Sequence, residues 1–333
     1  MDPLSQAVLG GIAAQTTTKP AQLKHAAIMG ALAGMAADLD VFIRSASDPL
    51  LALEYHRHFT HSLPFVPIGA LLCALVLHPL LGKRWHVSFK QSLLWCLLGY
   101  GTHALLDACT SYGTRLLWPF SNIRVAWDTI SIIDPFFTLP LLCLLLLAAI
   151  KKAPTFNRAA IAWAALYLSL GFLQHERALT IGQSIAQSRG HTPLHISVKP
   201  SFANIAVWKV IYEAEGHFYI DAVKPRFSKP YIWHGDTVKK LTPATDLPWL
   251  SPNSQQAKDL ARFTHFSDSF VALDPAVKNR VIDIRYSMLP HQIDALWGID
   301  LDSDAADNQH VQWVSMRGDR QSGLRELWNM LVK

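Results

Sequence analysis

Three short stretches bring together the side chains best able to bind a cation. AADLDVF offers Asp38 and Asp40; HRHFTHS, residues 56 to 62, offers His56, His58 and His61 with Arg57 among them; GYGTHALLDACTS places His103 and Asp107 four residues apart. The four-residue spacing puts ring and carboxylate on one face of a helix. Two carboxylates as close as Asp38 and Asp40 repel unless a cation or a proton neutralises one, and acids at a helix C-terminus oppose its dipole. Neutral imidazole is a frequent ligand of zinc, manganese and iron, and mixed His/carboxylate sets with open positions suit hydrolytic metals better than closed structural ones. Each stretch alone has a plainer reading: a His–Asp pair that glues helices, a solvated helix end, wet or pH-sensing histidines. Together they supply ligands for one divalent metal with supporting partners, or for two metals about 3.5 to 4 Å apart.

The elements that must position these residues are apolar. A spanning helix needs about 20 mostly apolar residues, and the runs at roughly 63–81, 92–110, 134–150 and 159–175 qualify. Two more, near 3–18 and 25–43, are rich in small residues (GGIAA, GALAGMAA) and read as a closely packed helical hairpin, with a re-entrant or interfacial pair as the alternative. With six spans, alternate loops hold Lys19, Lys24, Lys83, Arg84, Lys90, Lys151, Lys152 and Arg158, which makes them cytoplasmic by the positive-inside rule. All eight acids before residue 176 then fall at the outer side, with His56, His58, His61 and His103, while His25, His78 and His86 lie at the inner face. Ionisable residues near bilayer depth are costly and mark function by default. One outward-facing polar site explains their segregation.

Ser62 reads as the N-cap of the third span, and Asp134, ahead of Pro135, as a cap of the fifth. Beyond residue 175 the long apolar runs cease. Residues 1–175 carry 12 Lys/Arg and 8 Asp/Glu, residues 176–333 carry 18 and 17, so the net charge of +5 belongs mostly to the membrane half. No basic stripe interleaved with aromatics points to nucleic acid. The four cysteines all sit in apolar segments without paired spacing and read as packing residues. HISVKP, ANIAVWKVIYEAE, HFYIDAV, RFTHFSDSFVAL, VIDIRYSM and VQWVSMR read as strands broken by polar stretches such as WHGD and PNSQQ, and LRELWNMLV as a terminal amphipathic helix. The expected architecture is an α-helical polytopic membrane domain of about six helices, residues 1–175, followed by a β-rich or α+β extracytoplasmic domain, residues 176–333. The start, MDPLSQAVLGG, lacks the basic region of a cleavable signal peptide.

The series DLD, then HR-x-FTHS, then THxLLDxxTxxGxxLLWPF, resembles a bacterial inner-membrane family described as membrane-bound metal-dependent hydrolases; the resemblance covers about the first 150 residues. It implies a multi-pass inner-membrane protein and points to Asp38, Asp40, His56, His61, His103 and Asp107, the residues reached from their chemistry. It adds residues 110–121, where Gly113 makes a tight turn and Trp118 and Phe120 anchor an outer loop. The chain departs from the family pattern at Gln6, where a histidine is usual, and after the acid pair, where DLDVF lacks another; His58 replaces a residue that is commonly small. The expected cofactor is a divalent metal, zinc first, with manganese, iron or magnesium as alternatives. Arg57 or Arg115 would stabilise developing negative charge, and His56 or His58 would be a ligand or proton shuttle. The expected partner is a membrane lipid or another amphiphilic substrate. The rival expectation is a non-enzymatic membrane protein, its His/Asp cluster a structural lock and its exterior domain a partner-binding module.

Overall fold

The computed structural model describes residues 1–333 except 317 and 319. The first half is helical: α1 (Pro3–Gln15), α2 (Leu23–Met35, continued by a tighter 3₁₀ stretch Ala36–Phe42), the short α3 (Leu51–Tyr55), α4 (Val66–Leu77), α5 (Phe89–Ala108), α6 (Pro135–Lys151) and α7 (Pro154–Ser188). The second half holds β1 (His195–Pro200), β2 (Trp208–Ala214), β3 (His217–Lys224), β4 (Tyr231–Lys239), α8 (Pro243–Asp246), α9 (Gln255–Phe266), β5 (Val271–Leu273), β6 (Arg280–Asp283), β7 (Trp297–Asp300), β8 (Gln312–Ser315) and α10 (Arg320–Val332). Two compact units result. One comprises Met1–Phe42, Tyr55–Leu173 and Phe202–Asn204; the other comprises Ile43–Glu54, Gln174–Ser201 and Ile205–Lys333.

In the helical unit, local sequence sets the helix starts. Asp2 accepts from the Leu4 and Ser5 amides at the head of α1, Ser88 from Gln91 at the head of α5, and Asp134 from Phe136 and Phe137 at the head of α6, with Pro3 and Pro135 in first turns where no amide is missed. Ser62 does not cap in this way. Its hydroxyl donates to the Phe59 carbonyl, because a further tight turn, Leu63–Phe65, precedes α4. The small residues do bring α1 and α2 together: a methyl group added at Gly30 would lie 2.5 Å from the Gly10 carbonyl oxygen, and one at Gly99 of α5 would lie 2.3 Å from that of Gly30. Such backbone contact requires glycine, and it lets α1, α2 and α5 approach backbone to backbone at these points.

Among the described residues, three helical runs are long and apolar enough to cross a membrane: Pro20–Phe42, Leu63–Gly82 and Pro154–Ser188. Pro135–Lys151 is apolar but shorter. Helix α5 is 20 residues long, yet its buried face includes Ser92, His103 and Asp107, and α1 has 13 residues. The dilution of α5 by polar side chains is what keeps it out of the apolar set.

The second unit contains two antiparallel sheets of sequential strands, β1–β4 and β5–β8. WHGD is not a break. Trp233 to Asp236 continue β4, paired with β3 across an irregularity at Tyr219/Asp221, since the edge strand tolerates a polar, exposed run. Nor is RFTHF a strand: it ends α9, capped by Ser254, whose buried Gln256, Asp259, Leu260, Phe263 and Phe266 recur at three- and four-residue spacing.

Strand β2 is buried at every position, including Lys209, whose ammonium donates to Ser287 Oγ and the Gln292 carbonyl, each at 2.7 Å. Burial pushes this group down from 10.5 to about 7, against the opposing fields of Asp283, Asp236 and Asp294. Between those two values the unfolded chain holds a proton that the folded one has released. Stability from this group therefore rises as pH increases through that window, by up to about 1.4 kcal/mol per pH unit. Unfolding of the full chain in detergent, followed by tryptophan fluorescence from pH 6.5 to 9.5, should show this rise, and Lys209→Met should flatten it. An equal slope in both proteins would contradict the assignment.

Candidate metal centre

The site lies within the helical unit. It is built by the 3₁₀ end of α2, the turn that precedes α4, and the last two turns of α5. Asp38, His61, His103 and Asp107 each offer one donor atom, and these atoms all lie within 4.8 Å of one another. His61 Nε2 is 2.9 Å from His103 Nε2, 3.3 Å from Asp38 Oδ1 and 3.3 Å from Asp107 Oδ2; His103 Nε2 is 3.4 Å and 3.7 Å from the same two oxygens. Ligand bonds of about 2.0 to 2.1 Å in tetrahedral array place donors about 3.3 Å apart. Three of these five separations match that figure, while the His61–His103 edge at 2.9 Å is shorter and the His103–Asp107 edge at 3.7 Å longer.

Ring tautomers follow from the far side of each imidazole. His103 Nδ1 faces the Gly34 carbonyl oxygen at 2.5 Å, a group that only accepts, so this nitrogen carries the proton. His61 Nδ1 lies 3.2 Å from Asp40 Oδ2 and 3.0 Å from Thr60 Oγ1, while the Thr60 hydroxyl donates to that same Asp40 oxygen at 2.8 Å. His61 Nδ1 is therefore also a donor, to Asp40. The two Nε2 atoms then face each other beside two carboxylate oxygens. Two imidazole nitrogens and two carboxylate oxygens converge, a set that fits a divalent cation in charge and in kind.

Asp40 and His56 form a neighbouring group with Asp38. Asp40 Oδ1 meets His56 Nδ1 at 2.8 Å, and its other oxygen accepts from Thr60 and from the Arg57 amide at 3.0 Å. It thus orients His61 while linking it to His56. The Arg57 backbone holds φ at +63°, an uncommon conformation for a residue other than glycine, and one stabilised here by that contact with Asp40.

The predicted charge stabilisers separate. The buried Arg57 guanidinium turns inward: Nε lies 3.0 Å from Asp107 Oδ2, Nη1 donates to Thr110 Oγ1 at 2.8 Å, and the Tyr112 ring covers it at 5.1 Å. Arg115 is half-buried, its amide donates to the Arg57 carbonyl at 3.2 Å, and its guanidinium has no hydrogen-bond or ion-pair partner among the described residues. His58 packs among the rings of Tyr55, Phe59 and Trp118 and belongs to neither ligand group. Gly113 adopts φ +84°, as a tight turn requires. Sequence reasoning did not assign Gln6. It is wholly buried, and its amide nitrogen donates to Asp107 Oδ1 at 2.8 Å, so it supports a ligand where the resembling family has a histidine. The signal was a polar residue, with Ser5 and Gln15, on a mostly apolar helix.

The centre is closed on most sides. The side chains of Asp40, His61, His103 and Asp107 are at most 1% exposed, whereas Asp38 is 22% and His56 30% exposed. Leu39 and Phe42, on the same 3₁₀ stretch as Asp38 and Asp40, are exposed.

The family model described as YdjM inner membrane protein matches residues 1–178. Over 301 residues the chain is 26% identical to "Uncharacterized protein YfhP" of Bacillus subtilis (strain 168), covering 85% of each protein. Over 85 residues it is 36% identical to "Inner membrane protein YbcI" of Escherichia coli (strain K12), covering 23% of this chain and 44% of that one. No solved structure matches it significantly. A match over more than half its length, joined to apolar helices of spanning length, makes this chain a member of the YdjM inner membrane protein family.

Proposed function

We propose that this chain is a multi-pass inner-membrane hydrolase that uses a divalent metal, zinc first among the candidates, on a lipid or lipid-linked ester or phosphoester. The observation that carries the reading is the convergence of two imidazole nitrogens, 2.9 Å apart, with two carboxylate oxygens. A divalent ion would be met by all four groups at once. Asp38, His61, His103 and Asp107 would hold it, with Asp40, Gln6 and Arg57 fixing their orientation. Bound there, a divalent metal supplies Lewis acidity and a water of lowered pKa. The protein's own groups supply the rest. His56, hydrogen-bonded to Asp40 and partly open to solvent, would take a proton from the attacking water and pass it to the leaving oxygen. The Arg115 guanidinium is the cation available for a phosphate or ester oxygen. The exposed Leu39 and Phe42, on the same stretch as Asp38 and Asp40, favour an amphiphile that stays in the membrane while its polar end reacts.

Six spans with both termini outside follow from the Lys and Arg distribution. The membership of residues 43–54 and the C-terminal sheets in one compact unit supports this orientation, since one unit cannot lie on both sides of a bilayer. A second reading, a structural metal in a non-enzymatic protein, is favoured by one feature: four protein donors are the number that a closed structural zinc site uses.

The test uses detergent-purified full-length protein with p-nitrophenyl ester and phosphodiester substrates in mixed micelles. We expect about one metal or more per chain, and hydrolysis that a chelator abolishes and zinc or manganese restores. Protein without stoichiometric metal ends the reading. Metal without hydrolysis across both substrate classes, with a coordination sphere that contains no water, transfers it to the structural alternative.

A further inference from the structure

The segment between the two halves of the metal centre belongs to the other compact unit. Residues 43–54 lie between Asp38 and Asp40 on one side and His56 and His61 on the other, yet they pack with the C-terminal sheets. Leu50 is 1% exposed in a core with Leu241, Leu247, Leu260, Phe263, Val271 and others, and Leu53 packs against the same core. Arg262 of α9 holds the segment by its polar side: Nη1 and Nη2 donate to the two oxygens of Asp48 at 3.0 Å each, Nη2 also reaches Glu54 at 3.0 Å, and Asp259 braces Nη1 at 3.2 Å. Asp48 in turn caps the Leu50 amide at 2.9 Å. At its base the same segment is closed by the 2.8 Å contact of Asp40 with His56.

Exposed ion pairs usually contribute little, but a two-pronged guanidinium grip within a network of three acids, over a buried leucine, is the exception. Phe42 and Tyr55 are the junctions, so two residues separate Asp40 from the gripped segment and one separates it from His56. A shift of the segment must be taken up within that short length of chain.

We propose that Arg262 is a positioning residue for the metal centre: through Asp48 and Glu54 it fixes the 43–54 segment and thereby the spacing of Asp38 and Asp40 relative to His56 and His61. The grip then acts on the site through the backbone at residues 41, 42 and 55. This inference rests on the metal reading.

The experiment takes full-length protein in detergent, loads it with Co²⁺, and follows the visible absorption that reports coordination geometry, together with Co²⁺ affinity and backbone hydrogen exchange. Arg262→Ala and the milder, loop-side Asp48→Asn should each weaken Co²⁺ binding about tenfold, the lower figure for partners that orient metal ligands. Both should change the visible spectrum and speed exchange at the Arg57 and His61 amides, while β2 keeps its protection. Arg262→Lys, with charge but no fork, should recover only part of the affinity. Arg280→Ala, which breaks a comparable pair with Asp300 in the same unit, should change none of these. Unaltered affinity, spectrum and exchange in Asp48→Asn and Arg262→Ala would overturn the proposal. Wild-type protein that takes up no Co²⁺ overturns the metal reading instead, and the exchange comparison still decides whether the grip fixes residues 55–61.

Discussion

Replacing Asp107 with Asn is expected to yield protein that retains α5 but no longer retains metal. The amide matches the carboxylate in size, so the change is one of charge and donor capacity. It removes one of the two negative charges facing a divalent ion, and it cannot at once accept from Gln6, pair with Arg57 as an anion and donate to a metal. Loss of a partner that merely orients a ligand costs about 10- to 100-fold in affinity; loss of the ligand itself should exceed about 100-fold. A second effect separates from the first. Arg57 is 5% exposed, and without its carboxylate a buried guanidinium is left uncompensated, at about 3 to 5 kcal/mol. The pair Arg57→Met with Asp107→Asn should recover much of that stability while metal stays absent. Elemental analysis and tryptophan-monitored unfolding read the two effects independently. An Asp107→Asn protein that keeps a full equivalent of metal would remove Asp107 from the ligand set.

The residues of the centre were legible where the geometry is local, and illegible where it depends on distant parts of the chain. His103 and Asp107 share a helix, and their spacing alone puts them on one face. The order of Asp38, His61 and the α5 pair was equally visible, because each stretch interrupts an apolar run with a side chain too costly to bury idly. Arg57 was not legible. Nothing in HRHFTHS tells that a left-handed backbone at Arg57 turns its guanidinium inward to Asp107, 50 positions later in the chain. Helix α9 was missed for another reason: RFTHF is rich in aromatic and β-branched residues, and the helical period shows only when the buried Asp259 and Gln256 are counted with Leu260 and Phe263. The capture of residues 43–54 by the C-terminal unit is wholly non-local. A short polar loop between two apolar runs reads the same whether its leucine is buried or wet.

The small residues of α1, α2 and α5 were legible as close packing, and they carry the second large effect: Gly99→Ala should destabilise the helical unit and strip the metal, while Gly101→Ala on the same helix does neither. Both substitutions gain helix propensity, about 1 kcal/mol each. They differ in what the added methyl group meets. At Gly101 the nearest atom is Val66 Cγ1 at 3.6 Å, ordinary contact. At Gly99 it is the Gly30 carbonyl oxygen at 2.3 Å, followed by two further Gly30 backbone atoms at 2.9 Å, which cannot move without moving α2. Overpacking of this kind costs about 1 to 3 kcal/mol and occasionally more, so at Gly99 it outweighs the gain in propensity. The displaced surface lies next to the centre. His103 follows Gly99 by one turn on the same face, and its ring is tethered to the Gly34 carbonyl of α2 at 2.5 Å, so a wedge between the helices pulls His103 away from Asp38 on the continuation of α2. Metal content and unfolding temperature, measured for the two variants side by side, test the argument. Equal behaviour would mean that α2 and α5 yield freely at Gly30, and that their contact does not set the geometry of the site.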